Sequence, residues 1–247
     1  MHARLSALLY LPLMLDELRR SMKPTMYSML MQLPLFQGMS HAHLFEVIEQ
    51  AIFHFRKVED GKKVFLQGEQ CHQLTFLMSG ELVATTQAPY AVFSLEEVIT
   101  QYAAIEPLSL FGKNPSYKAC YTARGEVSLL SIDKHYIYTL LDSYEIFRIN
   151  FFNLFGSKVE NLHQQLWSIS PQTLEGRMAL FIRSLCTTAK GDKVMNIRME
   201  DLARLMDATR LNVSAVLNKW HSEELIILRR KAFAIPDIEA LLDKALY

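Results

Sequence analysis

The stretch MEDLARLMDATRLNVSAVLNKWHSEELI, Met199 to Ile226, leaves a chain few ways to fold. Leu202, Leu205 and Met206 fall at i, i+3 and i+4, one face of a helix. Val213, Val216, Leu217 and Trp220 repeat the pattern after a polar knot, Asp207-Ala208-Thr209. Asp tolerates the left-handed backbone that a tight turn needs. Thr209 suits the N-cap of the second helix, because its hydroxyl can accept from an orphan N–H. Two short amphipathic helices joined this tightly read as a helix-turn-helix, although an ordinary αα-hairpin has the same outline. Thr209, Arg210, Asn212 and Ser214 lie near the start of the second helix, and all are residue types that hydrogen-bond base edges or phosphates.

The chain has 247 residues, enough for one large domain or two ordinary ones, and its 50% hydrophobic content can fill a sizeable core. Lys+Arg 26 balance Asp+Glu 26, so the overall charge does not point to nucleic acid. From Ser170 onward the balance is 12 Lys+Arg against 10 Asp+Glu, a slight basic bias, and a DNA reader can work with a local basic stripe. Cys71, Cys120 and Cys186 lie far apart without metal-ligand spacing, which signals neither an iron–sulfur cluster nor a structural zinc. Three is odd for a disulfide framework, and a reducing cytoplasm is the simplest setting. The apolar run Leu5 to Leu15 is too short to span a bilayer, and Asp16-Glu17 follows where a signal peptide needs a small-residue cleavage site. Residues 1–24 read as an N-terminal helix or extension, with Met22 or Met26 as alternative starts.

Ser40 is placed to cap a helix through Glu46, Val47 and Ile48. From Ile52 the texture alternates, with Glu59-Asp60-Gly61, Gln67-Gly68-Glu69 and Ser79-Gly80-Glu81 as turn signals between short apolar strings. That pattern predicts a small antiparallel barrel or roll, with further strands at Tyr90–Phe93 and Glu126–Ile132. One long helix is expected from Lys134 to about Leu166. In it Phe151, Phe155, Val159, Leu162 and Leu166 step by 4, 4, 3 and 4, a heptad-like seam. A helix lying on its own barrel gives the same spacing, but a seam this long favours a second helix across it and hence a homodimer. Ser170-Pro171 ends the helix, and Leu228–Ile235, with Arg229-Arg230-Lys231 at its tip, reads as a short hairpin or wing.

Barrel, long helix, helix-turn-helix and wing in this order resemble the cyclic-AMP receptor/fumarate-nitrate regulator (Crp/Fnr) superfamily of bacterial transcription regulators. The resemblance runs from about Tyr27 to the end and rests on LPLFQGMS, GKKVFLQGE, LTFLMSGEL, LEGRMALFI and the helix-turn-helix string. YEIFRINFFNLF, Tyr144 to Phe155, is similar to the Bacteroidetes-type variety. The resemblance implies an α+β chain in three parts. Residues 25–133 would form a cyclic-nucleotide-binding-like antiparallel β-roll of jelly-roll type, a sensor; 134–168 a dimerisation helix; 169–247 a C-terminal winged helix-turn-helix. It also implies a non-enzymatic, cytoplasmic regulator whose partners are double-stranded DNA, a second copy of the chain, a small-molecule effector and, as a further candidate, RNA polymerase, with no membrane. Arg210 would take a guanine edge or a phosphate, Asn212 an adenine edge or a phosphate, and Thr209 and Ser214 would support backbone contacts. Lys219, Arg229, Arg230 and Lys231 would hold phosphates. Leu211 and Ala215 stand where relatives often read bases, so a target sequence does not carry over.

In cyclic-nucleotide-binding relatives a Gly-Glu pair takes the ribose and an Arg with a small hydroxyl residue holds the cyclic phosphate. The matching positions here are Ile105-Glu106 and Lys118 with Ala119-Cys120, and the adenine-reading position on the long helix falls near Leu162-His163. Lys is a point charge rather than a bidentate fork. An effector pocket built from Glu106, Lys118, Cys120 and His163 is therefore not expected to take cyclic AMP. No cofactor or metal is called for. His54 and His72 are the residues a haem would use, His41 and His43 are set two apart and would point to different helix faces, and Cys120 beside Lys118 reads as a redox thiol or a small apolar filler. Two competing readings stay open: a ligand-sensing or protein-interaction module whose second domain does not read DNA, and a cupin-like enzyme. The latter lacks the clustered His and carboxylate ligands such a metal site needs.

Overall fold

The computed structural model describes residues 26–167, 173–188 and 191–246; the predicted extension 1–24 and the Ser170-Pro171 break lie outside them. A helix α1, His41–Gln50, starts at Ser40, whose hydroxyl accepts from the His43 N–H at 3.2 Å. Six strands follow: β1 Phe53–Val58, β2 Lys63–Phe65, β3 Gln73–Gln87, β4 Phe93–Ile99, β5 Ala103–Ile105 and β6 Cys120–Asp133. All their pairings are antiparallel, and β3 on β6, from Gln73↔Asp133 to Thr85↔Cys120, is the spine. The expected roll is thus present. Two of the three turn signals are turns; the third is not. Ser79-Gly80-Glu81 lies inside the 15-residue β3, where the register shifts on both sides of Ser79. Gly80 has φ +83° and a Cβ there would sit 2.5 Å from the Glu126 carbonyl oxygen, so the glycine makes a bulge rather than a hairpin. The strand expected at Tyr90–Phe93 begins only at Phe93, because Pro89–Ala91 forms a 3-10 turn.

The single helix expected from Lys134 is two: α2, Lys134–Ser143, and α3, Glu145–Trp167. Tyr144 between them is extended (φ −121°, ψ 105°) with its ring buried and its hydroxyl donating to Glu46 at 3.3 Å. Arg148 donates to the Leu141 and Asp142 carbonyls at 2.9 and 3.2 Å, satisfying the acceptors that the break frees. Phe147 and Phe151 join Phe36 and Phe76 in the first core, and Phe151 meets Phe111 edge-on at 5.5 Å. This corrects the predicted seam. Phe151 is buried and Phe155 half-buried against the chain's own roll, because the roll covers the start of α3. Farther along, Val159 and Leu162 are exposed, and the outward apolar stripe is Ile149, Phe152, Val159 and Leu162. The Leu166 side chain lies outside the described part.

The remaining elements are α4 Leu174–Leu185, β7 Lys193–Ile197, α5 Met199–Leu205, α6 Arg210–Ser222, β8 Ile227–Arg229, β9 Ala232–Ile235 and α7 Ile238–Leu246. Their core is built on Met178, Ile182, Met195, Val213, Trp220 and Phe233. Nothing in the sequence announced how this part attaches to the roll. Strand β7 pairs antiparallel with β9 on one side and with β4 on the other, Phe93↔Ile197 through Glu97↔Lys193, so one nine-stranded sheet runs through both parts. Leu95 of β4 is buried in the second core, and Phe93 packs edge-on to Phe181 at 5.7 Å. At the end of the seam Lys193 and Glu97 are both buried, 3.7 Å apart. The Glu97 carboxylate also accepts from the Thr187 N–H at 3.0 Å and the Thr187 hydroxyl at 2.6 Å. Lys158 of α3 donates to the Thr187 carbonyl at 2.7 Å. Burial lowers the Lys158 ammonium from its ordinary value, and the Glu97 carboxylate opposes that shift. Gly191 (φ +82°) closes the corner, where a Cβ would meet the Val98 carbonyl oxygen at 2.6 Å.

Removing one member of a buried ion pair strands the other charge, at a cost of about 3–5 kcal/mol. Glu97→Leu is expected to lower the midpoint of urea unfolding accordingly, and the double variant Glu97→Leu/Lys193→Met to regain much of the loss. Equal midpoints for all three proteins would show that the ion pair contributes nothing to stability.

Candidate nucleic-acid interface

Helices α5 and α6 are joined as the sequence implied. Asp207 takes the left-handed conformation (φ 47°), and the Thr209 hydroxyl accepts from the Asn212 N–H at 3.2 Å. Arg177 of α4 reaches the Met206 carbonyl at 3.4 Å and braces the turn. Helix α6 buries Val213, Leu217 and Trp220. The buried Trp220 indole N–H donates to Glu175 at 2.8 Å, fixing α6 on α4. The helical period then places Leu211, Ala215 and Asn218 on the side opposite that core face, all exposed.

The predicted cations surround this helix rather than lie along its outward face. Arg210 pairs with Glu200 at 3.3 Å, and Lys219 with Glu175 at 2.8 Å. The hydrogen bond from Lys219 to Glu175 raises its ammonium above the ordinary value. Arg229, Arg230 and Lys231 are exposed on the wing, whose strands pair Ile227↔Ala234 to Arg229↔Ala232 across a two-residue loop. Lys231 has φ 60° in that loop. Between wing and helix pair runs a cleft of about 230 Å³ whose lining includes Arg198, Glu200, Arg210, Arg229 and Lys231. Four cations against one carboxylate give the cleft an excess of positive charge. Arg198 and the two acids escaped the sequence reading, because nothing local marks a basic residue before a helix, or a carboxylate, as standing beside α6. Ser214 is half-buried and accepts from Asn218 at 3.4 Å.

In the roll, the proposed effector residues are partly brought together. Glu106, in a left-handed conformation (φ 39°), accepts from the backbone N–H of Lys118 at 2.7 Å and of Ala119 at 2.9 Å. It also accepts from the Ser109 hydroxyl at 2.6 Å and the Tyr121 hydroxyl at 2.9 Å. Burial, reinforced by this carboxylate, raises the Tyr121 phenol far above its ordinary value. The Lys118 ammonium turns to Ser116 and Asn114 at 3.2 and 3.4 Å. Cys120 is half-buried on β6 opposite Thr85. His163 is exposed on α3, and among the described residues no hydrogen bond to Glu106 comes from that helix. His54, one of the two haem candidates, is held by Asp133 at 3.1 Å. His41 stacks on Tyr27 with centroids 4.2 Å apart, while His43 leans on Tyr144. Burial pushes the Cys186 thiol up to about 12 and raises that of Cys71, as for apolar fillers. No described helix is long and apolar enough to cross a membrane.

Residues 176–244 match the Crp-like helix-turn-helix domain. Among solved structures, the catabolite activator protein of Thermus thermophilus aligns with 86% of this chain and 97% of its own, at 20% identity and a TM-score of 0.50. DNR from Pseudomonas aeruginosa covers 87% of this chain and 95% of its own at 20% identity and TM-score 0.43. The c-di-GMP responsive global regulator CLP of Xanthomonas campestris covers 78% and 98% at 15% identity and TM-score 0.47. No curated protein matches the sequence. The helix-turn-helix domain is thus Crp-like by its sequence, and the chain shares the fold of the catabolite activator protein.

Because an internal carboxylate already occupies the N–H groups of Lys118 and Ala119, an incoming phosphate would meet a like charge there. Calorimetric titration with cyclic AMP or cyclic GMP is expected to show no binding at micromolar concentration. A micromolar or tighter dissociation constant for either would contradict this.

Proposed function

From a Crp-like helix-turn-helix domain on a catabolite-activator fold, we propose that this chain is a cytoplasmic transcription regulator that binds double-stranded DNA as a homodimer and is no enzyme. Its roll serves as a sensor for a small effector other than cyclic AMP, and RNA polymerase is a further partner. The observation that carries the reading is the arrangement around α6. Its side opposite the core is free, and basic residues of the wing and cleft stand beside it where phosphates flank a groove. Arg210 lies on the cleft side of α6, paired with Glu200, so its role is a phosphate clamp; Asn212, exposed on the first turn, reads a base edge. On binding, phosphate replaces Glu200 as the partner of Arg210. The outward stripe Ile149, Phe152, Val159 and Leu162 is the dimer contact, and pairing two α3 helices sets two α6 helices for two half-sites.

Removing one phosphate-binding side chain weakens all sequences alike and flattens the slope of log K against log salt by about one unit. Arg210→Ala and Arg230→Ala are expected to do so in fluorescence anisotropy over a salt series. Asn212→Ala is expected to narrow the gap between operator and random DNA by about 1–3 kcal/mol. If none of the three changes DNA binding, the helix pair is not the reader and the protein-interaction reading takes its place.

Phe152→Asp places a charge in the apolar stripe of α3. Sedimentation velocity is expected to show a dimer for the wild type and a monomer for the variant. A wild-type monomer at micromolar concentration would remove the dimer from the account.

A further inference from the structure

The face that α6 offers to a groove is unusual for its chemistry. Leu211 is 78% exposed on the first turn, and the exposed Ala215 follows one turn later on the same side. Neither the Arg210 nor the Lys219 cation takes that face, since Glu200 holds one at 3.3 Å and Glu175 the other at 2.8 Å. A single exposed leucine on a surface needs no explanation. This one occupies the outward side of the helix at the end that enters a groove, so on binding it must be buried against base edges. A leucine side chain makes no hydrogen bond. Against guanine N7 and O6, or the adenine or cytosine amino group, it would strip water from polar atoms and return nothing. The thymine 5-methyl is the apolar group of the major-groove floor.

We propose that Leu211, backed by Ala215, reads a thymine 5-methyl group in each half-site, so that the operator is specified there by an apolar contact. The proposal rests on the DNA-reading assignment of α6 made above. Its neighbour fits the same base pair type: Asn212, exposed next to Leu211 on the first turn, offers the amide that pairs with adenine.

The experiment starts with an operator selected from a random library by the full-length protein. Each thymine of a half-site is then replaced by deoxyuridine, which removes only the methyl, and affinities are measured by fluorescence anisotropy. Burying one methyl group corresponds to about a fourfold change in affinity. Wild type is expected to lose about fourfold per half-site at one thymine. Leu211→Ala, altered at an exposed position, is expected to bind the thymine and uracil operators equally. Cytosine at that position is expected to bind less well than 5-methylcytosine, which restores the methyl. An operator bound tightly but indifferent to every uracil replacement overturns the proposal and leaves DNA reading standing. So does a methyl effect that survives in Leu211→Ala, since another residue then reads the group. A library that yields no operator overturns the DNA-reading assignment and this proposal with it.

Discussion

The buried pair of Glu97 and Lys193 lies at the junction that joins the two parts of this molecule, and neither charge can be left there without the other. It lies where β4 of the roll meets β7 of the helix-turn-helix part, and five residues of each strand pair along that line. Two charges out of water need each other and further hydrogen bonds. Thr187 supplies them from the loop after α4, while Lys158 of α3 binds the carbonyl of the same threonine. Roll, long helix and DNA-reading part therefore converge on a few atoms. Leu95 makes the junction apolar as well, since a strand residue of the roll fills the core of the other part. Strand β7 pairs with β4 on one side and β9 on the other, so the wing and the roll belong to one sheet.

Carboxylates of the chain occupy donor groups in both candidate sites. Glu200 and Glu175 occupy Arg210 and Lys219, and Glu106 occupies the N–H groups that an anion would seek in the roll. The consequences differ. The Arg210–Glu200 pair is exposed on both sides, and an exposed pair is worth little, so separating it costs little. Glu106 is half-buried and satisfied by four separate groups, which makes its displacement far more costly.

Local physics was legible in the sequence wherever a short signal decides it. The Asp207 turn, the Thr209 and Ser40 caps and the buried face of α6 follow from residue type and spacing, whereas on the predicted face of α5 Leu202 and Met206 are buried but Leu205 is exposed. Errors came where a distant partner decides. Gly80 looks like a turn until the Glu126 carbonyl on β6 shows that it is a bulge. The α2–α3 break carries neither Gly nor Pro; it depends on Glu46 and Arg148 holding Tyr144 and the freed carbonyls. Spacing alone cannot say how far along α3 the roll extends, so Phe151 and Phe155 of the expected seam turn to the roll while Val159 and Leu162 stay exposed. Pairing of β4 with β7 joins residues about a hundred positions apart, and such an edge contact leaves no mark on either strand. In the site, cations were visible in the string and their acidic partners were not, since Glu175 and Glu200 become neighbours only through packing.

The central claim, that two copies of α6 present themselves together to one DNA duplex, is tested most directly by the symmetry of the DNA it selects. The account predicts that sequences enriched from a random library share an inverted repeat whose half-site centres lie one helical turn, about 34–36 Å, or a whole multiple of it apart. Enrichment of a single unrepeated site, or of no sequence at all, would contradict it.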